Sequence, residues 1–192
     1  EPFVCVLLAW ARDEPRNDEA LRAGALWVLS NVARSERVVV DLVANRGVVE
    51  LLCATLRAEL RRPDIADRTR IVEAALALLR NLAVARANRD PLAEGGALAA
   101  VVEALPLAGC KNQHVAFDGV VLLSALVRGS PRRRRMLADV PSALGVVSQI
   151  AKGVAFPPPG SKPGQPTSVL VVGPDGEKDL RVQYEAARLL AE

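Results

Sequence analysis

Few side chains in this chain are spaced to do bond chemistry. His114 is the single histidine, so a histidine-based triad cannot assemble from the chain alone. Cys5, Cys53 and Cys110 are odd in number and far apart, with no CxxC pair and no Cys/His cluster at metal spacing. They read as buried free thiols of a protein kept in a reducing compartment. The tract Gly160-Ser161-Lys162-Pro163-Gly164 lacks the spacing of a phosphate loop and leads into no helix signal. A GxSxG elbow and a paired-carboxylate site are also missing. The sequence therefore predicts no catalytic residue, no cofactor or metal and no small-molecule substrate. What remains is chemistry of recognition, carried by Trp27, two asparagines and groups of arginines.

Composition says which elements position those residues. The chain has 192 residues, 51% hydrophobic, enough for a sizeable core and too apolar for disorder. Only 3% of residues are aromatic, so Ala, Leu and Val carry the core. Ala and Leu favour helix, and small Ala side chains let helices approach closely. A net charge of +3 is too slight for a typical nucleic-acid binder, so nucleic acid is not an expected partner. No stretch reaches the roughly 18 apolar residues of a membrane span, and a cytoplasmic protein is expected. Glu1 stands where a Met would begin a chain, and a helical pattern runs into the last residues. A segment of a longer protein is expected on that ground.

Self-similarity is the strongest signal. Ala25, Trp27, Leu29, Ser30, Asn31 and Ala33 are matched by Ala75, Ala77, Leu79, Arg80, Asn81 and Ala83. A weaker copy runs through Gly119, Val121, Leu123, Ser124 and Ala125, and a truncated one begins at Ala186. In each, a small residue precedes a Leu by four positions, which places both on one helix face. After each of the first three copies come a polar break, an apolar stretch, a breaker (Gly47, Gly95-Gly96, Pro141-Ser142) and a second apolar stretch. The unit this predicts has three helices: a short first helix ended by the breaker, an apolar second and a longer third. One unit cannot bury its own apolar face, so successive units must stack.

The copies stand 50, 44 and 67 residues apart, against roughly 40–47 for such repeats. Two insertions account for the excess. One is a charged stretch, 57–69, with Arg61-Arg62 and Pro63. The other, 153–178, is rich in Pro and Gly and includes Ser168–Val172, which has local strand character. An insertion of that length is either functional or disordered.

These residues resemble the armadillo-repeat family, whose third helix typically reads Ala-x-x-x-Leu-Ser-Asn-Leu-Ala. The resemblance covers nearly the whole of 1–192. It implies an all-α fold, a right-handed armadillo-type α-solenoid of about three full repeats plus a truncated fourth. It also implies that the third helices line a concave groove for a protein partner. Importin-like members clamp a peptide with a Trp and an Asn one turn apart; Trp27 and Asn31 match that pair, while Ala77 and Val121 replace the Trp in the next copies. The segment Ala75–Ala83 is further similar to the SmgGDS dissociation stimulators of small GTPases. So are the charged insertion before it and the tract Ala87-Asn88-Arg89-Asp90 leading to Leu92 and Gly95-Gly96. That similarity implies a small-GTPase regulator acting without catalytic side chains. A scaffold subunit of a cytoskeletal or ciliary assembly is the other reading.

Steps of three or four residues along the third helices trace the expected groove stripe. It runs through Trp27, Asn31 and Arg34, then Arg70, Glu73, Ala77 and Asn81, then His114, Phe117, Val121, Ala125 and Arg128. Trp27 is the foremost hot-spot candidate, or it packs between repeats. Asn31 and Asn81 either bond a peptide backbone or tie down neighbouring helix ends. Arg132, Arg133, Arg134 and Arg135 form a basic patch for an acidic protein, tubulin tails or RNA phosphate, or a solvated helix start.

Overall fold

The computed structural model describes residues 2–12, 18–62, 64, 69–108, 113–152 and 180–191. These contain eleven α-helices, one 3-10 turn at Arg86–Asn88, and no strand. The helices are α1 (Pro2–Ala11), α2 (Glu19–Val32), α3 (Glu36–Asn45), α4 (Val48–Leu60), α5 (Arg70–Leu82) and α6 (Arg89–Glu94). They continue with α7 (Ala97–Ala108), α8 (Gln113–Val127), α9 (Pro131–Ala138), α10 (Ala143–Ala151) and α11 (Leu180–Ala191). No described helix is long and apolar enough to cross a membrane.

Local sequence chemistry sets where helices start and turn. Asp18 caps α2 by accepting from the Leu21 amide at 2.7 Å. Ser35 and Ser130 cap α3 and α9 in the same way, through the amides of Val38 and Arg133, and Pro131 occupies the first turn of α9. The chain then turns sharply between α3 and α4 at Gly47, between α6 and α7 at Gly96 and between α9 and α10 at Ser142, whose φ values are 60°, 89° and 66°. Two of these left-handed corners are glycine as sterics favour. The third is Ser142, a residue beyond Pro141, so the breaker at that point is a strained serine and not the proline alone.

Three sets of three helices follow one another, α3-α4-α5, α6-α7-α8 and α9-α10-α11; the first helix is the shortest in each, but α10 with 9 residues is barely longer than α9 with 8. The third helices contact one another in chain order, α2 on α5, α5 on α8, α8 on α11, and the second helices do so from α4 to α7 to α10. The core follows from this stacking. Leu29, Leu79 and Leu123 are wholly buried, as are Ala75 and Ala186. At Gly119 an added Cβ would lie 2.7 Å from Leu105, so the smallest residue allows α8 to lie close on α7. The truncated fourth copy departs from the pattern: its burial falls on Ala186 and Leu189, and Leu190 is exposed.

Two further expectations change. The charged insertion starts after Leu60, because Arg57 belongs to the last turn of α4. That helix reaches back to α2 through an ion pair of Arg22 and Glu59 at 2.8 Å, both side chains almost fully buried. The thiols are not all buried: Cys5 is exposed beside the Arg46 guanidinium, while burial pushes the Cys53 thiol up to about 11. Cys110 and the segment 153–178, with Ser168–Val172, lie outside the described residues.

Candidate functional site

A groove of about 1060 Å³ opens along α2, α5 and α8, closed at one edge by the start of α3 and the turn after α5. Trp27, Asn31 and Arg34 come to it from α2 and the turn after it, Glu73, Ala77 and Asn81 from α5, and His114 and Phe117 from α8. Three helices can present one continuous stripe because each third helix packs on the last with its small-and-Leu face inward, leaving this face outward. Arg70 lies outside the groove, exposed on the first turn of α5, and Arg128 is exposed beyond the end of α8. Val121 and Ala125 are half-buried and also stand outside it.

Several polar wall residues have definite partners. Trp27 is 42% exposed, so its indole offers a large apolar face to the groove. The Asn31 amide donates to the Trp27 carbonyl at 3.0 Å and accepts from Arg34 at 3.0 Å. Asn81 behaves differently. Its Nδ2 donates to the Ser30 carbonyl at 2.8 Å and to Ser30 Oγ at 3.0 Å. Ser30 O belongs to the last turn of α2, where carbonyls lack intrahelical partners. Asn81 therefore clasps α2 to α5, and only its Oδ1 is left to accept from a ligand. Glu73 accepts from the Thr69 hydroxyl at 2.6 Å.

Among the wall residues that escaped the helical stepping are Ser30, Glu36, Arg80, Val84, Arg86 and Asp118. Arg80 and Asp118 form an ion pair between α5 and α8. Burial pushes the Asp118 carboxyl above its ordinary value, outweighing the pull of the nearby Arg80 guanidinium. Steps of three and four from Asn81 pass over Arg80; a wider stripe would have included it. The formal charges of the wall balance, with Arg34, Arg80 and Arg86 set against Glu36, Glu73 and Asp118. Such a wall suits an amphipathic segment better than a strongly charged one.

The arginine run lies elsewhere. Arg132 pairs with Glu94 and Arg133 with Asp90, each at 2.7 Å, so two of the four join α9 to α6. Arg134 and Arg135 are exposed.

No protein-family model matches this chain, and no curated protein is significantly similar to it.

Proposed function

We propose that the chain is an armadillo-type α-solenoid segment of the cytoplasm that binds a protein partner along the groove of α2, α5 and α8. The observation that carries this reading is the convergence of the exposed Trp27 indole, the Asn31 amide and the Phe117 ring on one groove of about 1060 Å³. An open channel of apolar faces and hydrogen-bonding groups, contributed by successive helices, fits an extended or helical polypeptide. The module acts by binding energy, without a catalytic side chain. The sharper form of the reading, supported by the likeness of Ala75–Ala83 to the dissociation stimulators, has a small GTPase as client. Nucleotide release would then follow from tighter binding to the nucleotide-free conformer.

The test is capture from native cells with tagged wild type and with the Trp27→Ala/Asn31→Ala variant, in GDP, a GTP analogue or EDTA. A small GTPase held only after nucleotide is stripped, and lost by the variant, supports the sharp form. Proteins lost by the variant whatever the nucleotide support a groove with another client, including an assembly subunit. If no captured protein depends on Trp27 and Asn31, the groove reading fails.

A further inference from the structure

Successive third helices carry one motif, so each of its positions can be followed from unit to unit. Val28 on α2 corresponds to Leu78 on α5 and Leu122 on α8. Those two leucines are wholly buried, whereas Val28 is 39% exposed. Gly24 corresponds to Ala74, which is wholly buried, yet Gly24 is exposed with open space where a Cβ would stand. Ala74 and Leu78 share a helix stripe with Asn81, whose amide bonds Ser30 on α2. This flank of a third helix therefore lies against the third helix before it, and on α2 it is bare.

The other flank shows the converse on α11. Leu190 corresponds to Leu29, Leu79 and Leu123, and Ala187 to Leu26, Leu76 and Val120. The earlier residues are wholly buried, but Leu190 is 44% exposed and Ala187 is exposed. Leu26 stands one turn from Ser30, which receives Asn81, so this flank faces the following third helix. The second helices agree. Leu144 lies two residues past its corner, as Val49 and Leu98 do past theirs; those two are buried and Leu144 is exposed. Val49 faces the next unit, since a Cβ added at Gly95 would lie 2.5 Å from it. On α1, which carries no charged side chain, Phe3, Val6 and Trp10 form an exposed stripe. Cys5, on another side of α1, meets Arg46 just past α3, so the stripe turns away from the next unit.

We propose that the chain assembles head to tail, the α1–α2 flank of one copy seating on the α10–α11 flank of a second copy. Phe3, Val6, Trp10 and Val28 meet Leu144, Ala187 and Leu190 in this junction. The two flanks correspond, position by position, to the two sides of the junctions that α2 makes with α5 and α5 with α8. That correspondence favours a second copy over an unrelated protein. Stacked units whose outer face stays in water carry polar residues there, whereas both of these flanks are apolar. A contact between unlike flanks leaves one of each kind open, so copies add without closing a ring unless the rotation happens to close. Val28, Leu144, Ala187 and Leu190 do not line the groove, so assembly stands or falls separately from it.

Sedimentation velocity of the full chain over a concentration series tests this. Wild type should gain mass beyond a dimer as concentration rises. Val28→Glu and Leu190→Glu should each associate at least about tenfold more weakly, since the junction must then bury an unpaired carboxylate. An equimolar mixture of the two variants should recover a dimer and nothing larger, because one intact junction can form between them. Should either variant melt earlier than wild type, Val28→Ser or Leu190→Ser takes its place and should still weaken assembly. Wild type that stays monomeric throughout overturns the proposal and leaves the flanks to another protein. Loss of assembly in only one variant overturns it too, since like flanks are then pairing, as does a mixture that recovers no dimer.

Discussion

The junction of α2 with α5 and the junction of α5 with α8 share one apolar frame and differ in their polar chemistry. In the first, the neutral Asn81 amide gives its hydrogens to Ser30 O and Ser30 Oγ across the helices. In the second, Ala125 holds the place of that asparagine, and Arg80 and Asp118 bridge the helices as an ion pair. A third form appears between α8 and α11, where Arg188 donates to Ser124 Oγ at 3.0 Å. Buried leucines recur at Leu29, Leu79 and Leu123 while the polar bridge changes each time. Stacking is therefore set by the apolar positions, and the polar bridges are free to vary in their response to pH and salt.

The largest expected effect removes what the junctions share. Leu79 is wholly buried on the helix that belongs to both. Leu79→Ala should cost about 2–5 kcal/mol, by lost burial plus an unfilled cavity, read from denaturant melts. A cost below about 1 kcal/mol would mean that the leucine frame does not govern stacking. The next effect separates the two asparagines. Asn81→Ala strands the Ser30 carbonyl and should cost about 1–3 kcal/mol. Asn31→Ala removes an exposed, local contact and should stay within about 0.5 kcal/mol. Equal losses would make Asn31 a clasp as well and remove it from the groove's free surface.

The course of these helices was legible because it depends on spacing. A small residue four positions before a leucine, and a breaker some fifteen residues past the asparagine, mark α2, α5 and α8 and the corners at Gly47 and Gly96. The groove stripe through Trp27, Asn31, Glu73, Asn81, His114 and Phe117 was legible for the same reason. Pairings across helices were not. Asn31 and Asn81 occupy one motif position and look interchangeable, yet only Asn81 has a preceding third helix, α2, to clasp among the described residues. Arg22 with Glu59 and Arg80 with Asp118 join positions 37 and 38 residues apart, a distance at which no local period operates. The arginine run could be seen, but not that α6 supplies carboxylates for half of it.

The smallest effect tests the ionic junction through its pH response. Burial raises the Asp118 carboxyl above its ordinary value of 3.8, so the native state holds that proton more tightly than the unfolded chain does. The stabilisation this protonation gives is fully present below the unfolded value and is lost as pH rises through the folded one. Wild type should therefore lose stability relative to Asp118→Asn on going from acid towards neutral pH. The change should be about 0.2–1 kcal/mol, the scale of partly exposed pairs. Denaturant midpoints of the two proteins across that range measure it, and the Asn81 junction serves as internal reference because it carries no titrating group. If wild type instead gains on Asp118→Asn with rising pH, attraction to Arg80 outweighs burial. The second junction is then held by its charge, and added salt should weaken it while leaving the first unchanged.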